Sequence, residues 1–408
     1  MSLLEEFFSR HLVGLSSRTL TVLSACALGG RSILLIGEHG CGKTTFCSLV
    51  AEFFGWEEHQ WVHYNATVDD MVTVMGLPDV NVEPGKPLRF IPHARAIWDK
   101  RLVLIDELTR AAPENQNMWL EIVSQGTLKG RKLPCRLLVA TCNPSTYAGA
   151  FELDQALLDR FAVVCPFPTA ATFAPRQWYE GAWVNFSGKE TSLPDLQRRQ
   201  ELIERFHRLR THLAKEKFVL RQIAIWAGEL CHWLCSKAQV PISGRTGMQL
   251  LPELVLDLTA YYCLKTNQEN QKLVVIPGEV FRTAAQFALR EKLSIDPQLF
   301  QQALQHAREI LQQQFGDNWE WLLDCLVSAP KEQRLQTLFQ YFARHPACKL
   351  SARQRTQLQM AMRDTIQQCR GWEDGLARLV EFCRQNLPDL AGEAEWVRLQ
   401  SLLETCIS

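Results

Sequence analysis

The chain has 408 residues, 47% of them hydrophobic, 22% charged and 9% aromatic, with 44 Lys+Arg against 44 Asp+Glu. This composition excludes wholesale disorder, and at about 150 residues per domain the length predicts two or three domains. Zero formal net charge removes the broad basic field of a dedicated nucleic-acid or anionic-membrane protein, leaving only a local basic groove open.

No run approaches the roughly 18 charge-free apolar residues of a spanning helix. The best stretch, Leu250 to Leu264, is interrupted by Glu253 and Asp257, and the opening MSLLEEFFSRHL has no apolar signal core. The chain therefore reads as soluble and cytoplasmic.

From the N-terminus, short apolar runs alternate with helical stretches, the pattern of a parallel α/β sheet. Strands are expected at Ser32–Ile36, Trp61–Tyr64, Leu102–Ile105, Arg136–Thr141 and Val163–Cys165, with a helix over Thr44–Phe54. Pro166 to Pro194 holds Pro166, Pro168, Pro175, Gly181, Gly188 and Pro194 and reads as an irregular connection. Helix is expected from Asp195 to about Leu264 and again from Glu279 to Leu293. Gln298–Ser408 reads as helical, and with 12 Lys+Arg against 13 Asp+Glu it is no basic arm.

Between the first strand and its helix stands Gly37-Glu38-His39-Gly40-Cys41-Gly42-Lys43-Thr44-Thr45, which satisfies G-x-x-x-x-G-K-[ST] in the strand–loop–helix context the motif requires. Its glycines let backbone N–H groups curl around phosphates. Lys43 supplies a cation to the β and γ phosphates, and Thr44 a hydroxyl to Mg²⁺. A matching carboxylate at a neighbouring strand end is provided by Leu102-Val103-Leu104-Ile105-Asp106-Glu107. Asp106 is expected in the metal's hydration shell and Glu107 as the base that polarises the attacking water. Asn143, after the strand ending at Thr141, is placed to orient the same water. Arg160 closes the helical segment Leu153–Phe161.

These motifs together resemble an AAA+ ATPase of the MoxR and dynein-related branch, which includes the gas-vesicle GvpN type. The resemblance covers about Leu12–Val164 and a lid segment near Ser243–Leu293. It implies a P-loop core with a parallel sheet and helices on both faces, then an α-helical lid and a C-terminal all-α region. The corresponding domains are 1–168 (core, with a helix-2 insert at about 65–92 and a pre-sensor-1 hairpin at about 124–134), 169–194 (connection), 195–295 (lid) and 296–408 (C-terminal helices). It further implies ATP and Mg²⁺ as cofactors. Asn143 takes the sensor-1 place, Arg160 that of an arginine finger entering the next subunit, and Arg245 that of the lid's sensor-2 arginine contacting nucleotide. Leu12-Val13-Gly14 resembles the segment flanking adenine. Arg110 is read either as a second inter-subunit arginine or as a surface ion-pair member. At the insert, Leu77–Val82 and Leu88–Phe90 fit a hairpin around Pro84-Gly85.

The resemblance implies a ring, usually a hexamer, that hydrolyses ATP to remodel a protein client, often one bearing a von Willebrand A domain. The alternative is a nucleic-acid-directed motor, for which the basic tip Lys129, Arg131 and Lys132 speaks slightly. Fourteen cysteines are scattered from Cys26 to Cys406. They read as reduced, mostly buried thiols, and Cys231/Cys235 as core packing rather than half a metal site. Trp319 and Trp321 fall on different sides of a helix: packing within the C-terminal bundle is the preferred reading, and exposure of one as a partner surface the alternative.

Overall fold

The computed structural model describes residues 2–82, 89–111, 113–144, 153–186, 193–266, 275–316, 319–328, 331–345, 350–368, 373–386 and 401. Two helices lead in, α1 (Leu3–His11) and α2 (Ser17–Gly29). The strand β1 (Ile33–Ile36) and the helix α3 (Lys43–Phe54) flank the glycine-rich loop. There follow β2 (Trp61–Asn65), the short α4 (Met71–Met75), β3 (Leu77–Pro78), β4 (Phe90–Ile91) and β5 (Leu102–Asp106). Then come α5 (Pro113–Gln125), the hairpin strands β6 (Thr127–Leu128) and β7 (Arg131–Lys132), β8 (Leu137–Cys142), α6 (Gln155–Leu158) and β9 (Val163–Pro166).

Five strands form one all-parallel sheet in the order β2-β5-β8-β1-β9. Apart from β2 and the last residues of β1, β5 and β9 its strands are buried throughout, as near-continuous Leu/Ile/Val runs require when helices cover both faces. The core is an α/β layer, as its motifs imply. One detail differs from the sequence reading: β5, which carries Asp106, does not neighbour β1. β8 lies between them, in register with both through Val139, which pairs with Ile33 on one side and Leu104 on the other.

The insert pairs Leu77 with Ile91 and Pro78 with Phe90; its Pro84-Gly85 turn lies outside the described residues. The basic hairpin pairs Thr127 with Lys132, and Glu121 fixes its tip by accepting the N–H groups of Lys129 and Gly130, both at 3.0 Å.

The expected irregular connection is corrected. Within it the chain forms a 3₁₀ turn at Ala170–Thr172 and the helix α7 (Pro175–Phe186). Pro175 is its first residue, where a missing N–H costs nothing, and a single Gly181 is tolerated inside. Beyond it run α8 (Leu196–Leu213) and α9 (Lys217–Lys237). A π-helical turn at Thr246–Leu250 leads into α10 (Leu251–Lys265). α11 (Gly278–Ala285) continues through a second such turn, Gln286–Arg290, to α12 (Glu291–Leu293). α13 (Pro297–Phe315), α14 (Trp319–Ser328), α15 (Lys331–Arg344), α16 (Ala352–Gln368) and α17 (Glu373–Asn386) complete the described helices.

The chain divides into two compact units, 1–271 with 282–303 and 272–281 with 304–408. In the second, Trp319 and Trp321 are both buried, in line with packing within the bundle and not with exposure of one of them. α14 packs on α15 and on α16. No described helix is long and apolar enough to cross a membrane.

Candidate active site

Parallel strands end their carboxyl ends in one crevice, and three of them supply this one. β1 runs into the glycine loop, β8 into Asn143, and β5 into Asp106 and Glu107. A cavity of about 240 Å³ is lined by His39–Thr45, Asp106, Glu107 and Asn143. The loop's shape rests on backbone that only glycine adopts readily: Gly40 and Gly42 have φ of 74° and 93°. Gly37 has no room for a Cβ, which would lie 2.8 Å from Cys41 Sγ and 2.9 Å from Phe167 Cβ. Leu12 packs against the same loop, 3.3 Å from where a Gly42 Cβ would stand.

Lys43 is buried, and its ammonium donates to the carbonyls of Gly37 (2.6 Å) and Glu38 (2.8 Å), with Asn143 Oδ1 at 3.5 Å. The cation is thus held by loop oxygens, and the N-terminus of α3 points its free N–H groups at the same space. Asn143 also contacts His39 Nε2 at 3.4 Å, so Lys43, His39 and Asn143 stand together. Cys41 lies 3.8 Å from Lys43, but burial raises its thiol pKa against the pull of that charge. It therefore stays protonated, without the lowered pKa that a reactive cysteine needs.

Asp106 has two neighbours that its motif does not announce. His63 Nε2 stands 3.0 Å from Oδ2, and the Thr141 hydroxyl donates to Oδ1. Burial alone would raise this carboxyl, but the His63 and Thr141 bonds and the Glu107 N–H outweigh it, so its pKa lies below the ordinary value. Glu107 is held in the left-handed region at φ 59°, with its N–H shared between Asp106 Oδ1 (3.1 Å) and Thr141 Oγ1 (3.2 Å). A non-glycine residue keeps such a backbone only when its surroundings impose it, and here it turns consecutive carboxylates to one cavity. Register explains His63 and Thr141: β2 and β8 flank β5 on either side, so both reach the end of the same strand. A histidine two residues into a strand and a threonine before a cysteine carry no motif, and only the sheet order exposes them.

A family model described as an AAA domain of the dynein-related subfamily matches residues 32–161. Residues 32–161 form an AAA domain of that subfamily. YeaC of Bacillus subtilis (strain 168), an uncharacterized protein, is 29% identical over 162 residues, or 38% of this chain and 48% of YeaC. The chain thus spans about half the length of that curated relative. The crystal structure of a candidate ATPase from Cytophaga hutchinsonii ATCC 33406 is similar at 16% identity and a TM-score of 0.48, over 76% of this chain and 91% of that one.

Arg160 and Arg245 lie elsewhere. Arg160 and Arg245 line a second cavity of about 350 Å³ with Arg31, Arg136, Ser32 and Ser124. Ser32, Arg136 and Ala162 precede β1, β8 and β9, so this cavity opens at the amino ends of the strands, the edge opposite the glycine loop. Arg245, expected from its motif to contact nucleotide, therefore lines this second cavity and not the cavity of the glycine loop in its own chain. Its guanidinium donates to Ser124 Oγ at 2.9 Å, at the end of α5, and it stands with Arg160 instead. The physical reason is where α8 and α10 dock. Asp257 on α10 is fully buried between Arg31, just before β1, and Arg210 on α8, and Glu253 bridges the same two arginines. That network fastens α8 and α10 to the amino edge of the sheet. Arg160 Nη1 donates to Ala156 O, while its buried Nε has no hydrogen-bond partner among the described residues. Arg136 is exposed and its side chain makes no hydrogen bond or ion pair among them. Arg110 stands 3.5 Å from Glu107 Oε2, an ion pair within the chain.

Proposed function

We propose that the chain hydrolyses ATP with Mg²⁺ in a ring, where each catalytic site is completed by the adjacent copy, and that the cycle remodels a protein client. The observation that carries this reading is the separation of the two clusters. The phosphate loop, Asp106, Glu107 and Asn143 share the carboxyl edge of the sheet, whereas Arg160 and Arg245 share the amino edge. Arginines that cannot reach the cleft of their own chain serve phosphoryl transfer when delivered to a neighbour's.

The donor set fits the cofactors. A hydroxyl and a carboxylate, Thr44 and Asp106, line one polar cavity and suit the oxygen-preferring Mg²⁺, which usually keeps several waters. The metal's role there is to neutralise charge on the β and γ phosphates. Lys43 exchanges its loop carbonyls for phosphate oxygens, Glu107 takes the proton of the attacking water, and Asn143 orients that water. The low pKa of Asp106 keeps it an anion at neutral pH.

A protein client, rather than nucleic acid, is supported at the insert and the basic hairpin. The insert exposes Leu77, Val80 and Ile91, at 60%, 90% and 55%. The guanidinium of Arg131 stacks over Trp98 at 4.7 Å, which commits one of the tip's three cations to the protein itself. A client bearing a von Willebrand A domain and a hexameric ring are part of the same proposal, through the family resemblance.

Turnover per subunit measured against protein concentration tests the reading. It is expected to rise with assembly and to be negligible in dilute monomer. Concentration-independent turnover by a monomer would overturn it, and strong stimulation by DNA or RNA would replace the protein client with nucleic acid.

A further inference from the structure

Behind the paired arginines lies a polar cluster that the cleft does not use. The side chain of Lys292, on α12, is fully buried. Its ammonium donates to the carbonyl of Asp159 (2.9 Å), the carbonyl of Phe161 (3.0 Å) and Thr246 Oγ1 (2.9 Å). An ammonium has three protons, and these three acceptors take all of them. The Asp159 carboxylate, 3.8 Å from the same nitrogen, accepts the Ser243 hydroxyl at 2.6 and 2.7 Å and the Thr246 hydroxyl at 2.6 Å. Thr246 N–H donates back to Ser243 Oγ at 3.0 Å.

The bonds fall in an informative place. Asp159 and Phe161 are the residues on either side of Arg160. Ser243 and Thr246 bracket Arg245. One buried cation and one carboxylate therefore tie together the two backbone segments that carry the arginines, one from the core and one from the lid. A buried charge is costly unless its geometry is used, and apolar side chains would join these elements more cheaply. We propose that Lys292, with Asp159, is a positioning residue that fixes Arg160 and Arg245 as a rigid pair facing the phosphates of a neighbouring subunit. This rests on the shared-site reading above. Lys292 touches no nucleotide itself; it acts through the two arginines.

The test is Lys292→Met, which keeps the length of the side chain and removes its charge and donors. ATP affinity of the mutant's own cleft is expected to stay within about twofold of wild type. Turnover is expected to fall about 10²-fold, the loss that misplacing a catalytic group by about 1 Å brings. A merely structural role is separated by mixing. Lys292→Met subunits co-assembled with Glu107→Gln subunits should regain turnover, because the mutant keeps its base and receives an intact arginine pair. Mixed with Arg160→Ala subunits they should not, since both lack the same face. If Lys292→Met does not fold, Thr246→Val removes one link beside Arg245 and should show the same pattern with a smaller loss. Wild-type turnover by a folded variant, or rescue by Arg160→Ala, overturns the positioning role. The two readings fail differently. Normal turnover by Arg160→Ala removes the shared site, whereas an inactive Arg160→Ala beside a normal Lys292→Met removes only the latch.

Discussion

The two edges of the sheet are built on different principles. At the carboxyl edge, three strand ends converge and each contributes contiguous residues: a glycine loop, a pair of acids, an asparagine. Backbone does most of the shaping, through the positive φ of Gly40, Gly42 and Glu107. At the amino edge, side chains from distant segments meet because α8 and α10 are fastened there by Arg31, Arg210, Glu253 and Asp257. On the proposed function, the first edge binds and activates nucleotide, and the second supplies positive charge to a neighbouring copy. The difference teaches that the glycine-loop cluster is encoded locally, while the arginine cluster depends on tertiary docking.

Substitutions at each edge should therefore fail in different ways. The largest effect is expected for Lys43→Ala, which removes the cation of the cleft. Calorimetry should show nucleotide binding abolished with the fold intact, and unchanged ATP affinity would break the assignment of that edge. Glu107→Gln preserves shape and loses the base, so ATP should bind as in wild type without turnover. Arg160→Ala should also leave binding intact and lower turnover by roughly 10³-fold or more, as for other transition-state arginines. If Arg160→Ala weakened the affinity of its own cleft as Lys43→Ala does, the two edges would not be separate.

Smaller effects sharpen the comparison. Thr141→Val removes the hydroxyl that holds Asp106 and the Glu107 N–H, and should raise the Mg²⁺ concentration needed for half-maximal turnover without altering assembly. The pH response should belong to the amino edge. Burial brings the Lys292 amine from 10.5 down to about 8, with Asp159 opposing and Arg245 reinforcing the fall. The folded value lies below the unfolded one, so this group's stabilising contribution is full above about 10.5 and is lost as pH falls through about 8. Turnover should follow the opposite trend. Above about pH 8 the neutral amine has only two donors for its three acceptors, and the arginine pair loosens. A pH series on wild type and Lys292→Met, read by turnover and by denaturant midpoint, checks both trends, and the variant should show neither.

Much of the cleft was legible because its chemistry is written in consecutive residues. Gly37–Thr44 and Asp106-Glu107 need only a strand before them to be placed. His63 and Thr141 were not, since they join Asp106 through the sheet order β2-β5-β8, which no local pattern contains. The edge at which Arg245 stands is not written in its motif, because the docking of α8 and α10 rests on ion pairs between residues such as Arg31 and Asp257 that lie 226 positions apart. α7 was obscured by the Pro and Gly count around it, although Pro175 stands where a helix accepts proline. Burial of both Trp319 and Trp321 follows from α15 and α16 flanking α14, again a tertiary fact.

The central claim is that one site is made by two copies, and mixing Arg160→Ala with Glu107→Gln subunits tests it most directly. Neither variant should turn over ATP alone. Where an Arg160→Ala cleft receives its arginine from a Glu107→Gln neighbour, base and finger are both intact, so turnover should return and peak at an intermediate ratio. Mixed assemblies verified by mass that stay inactive at every ratio would contradict a shared site.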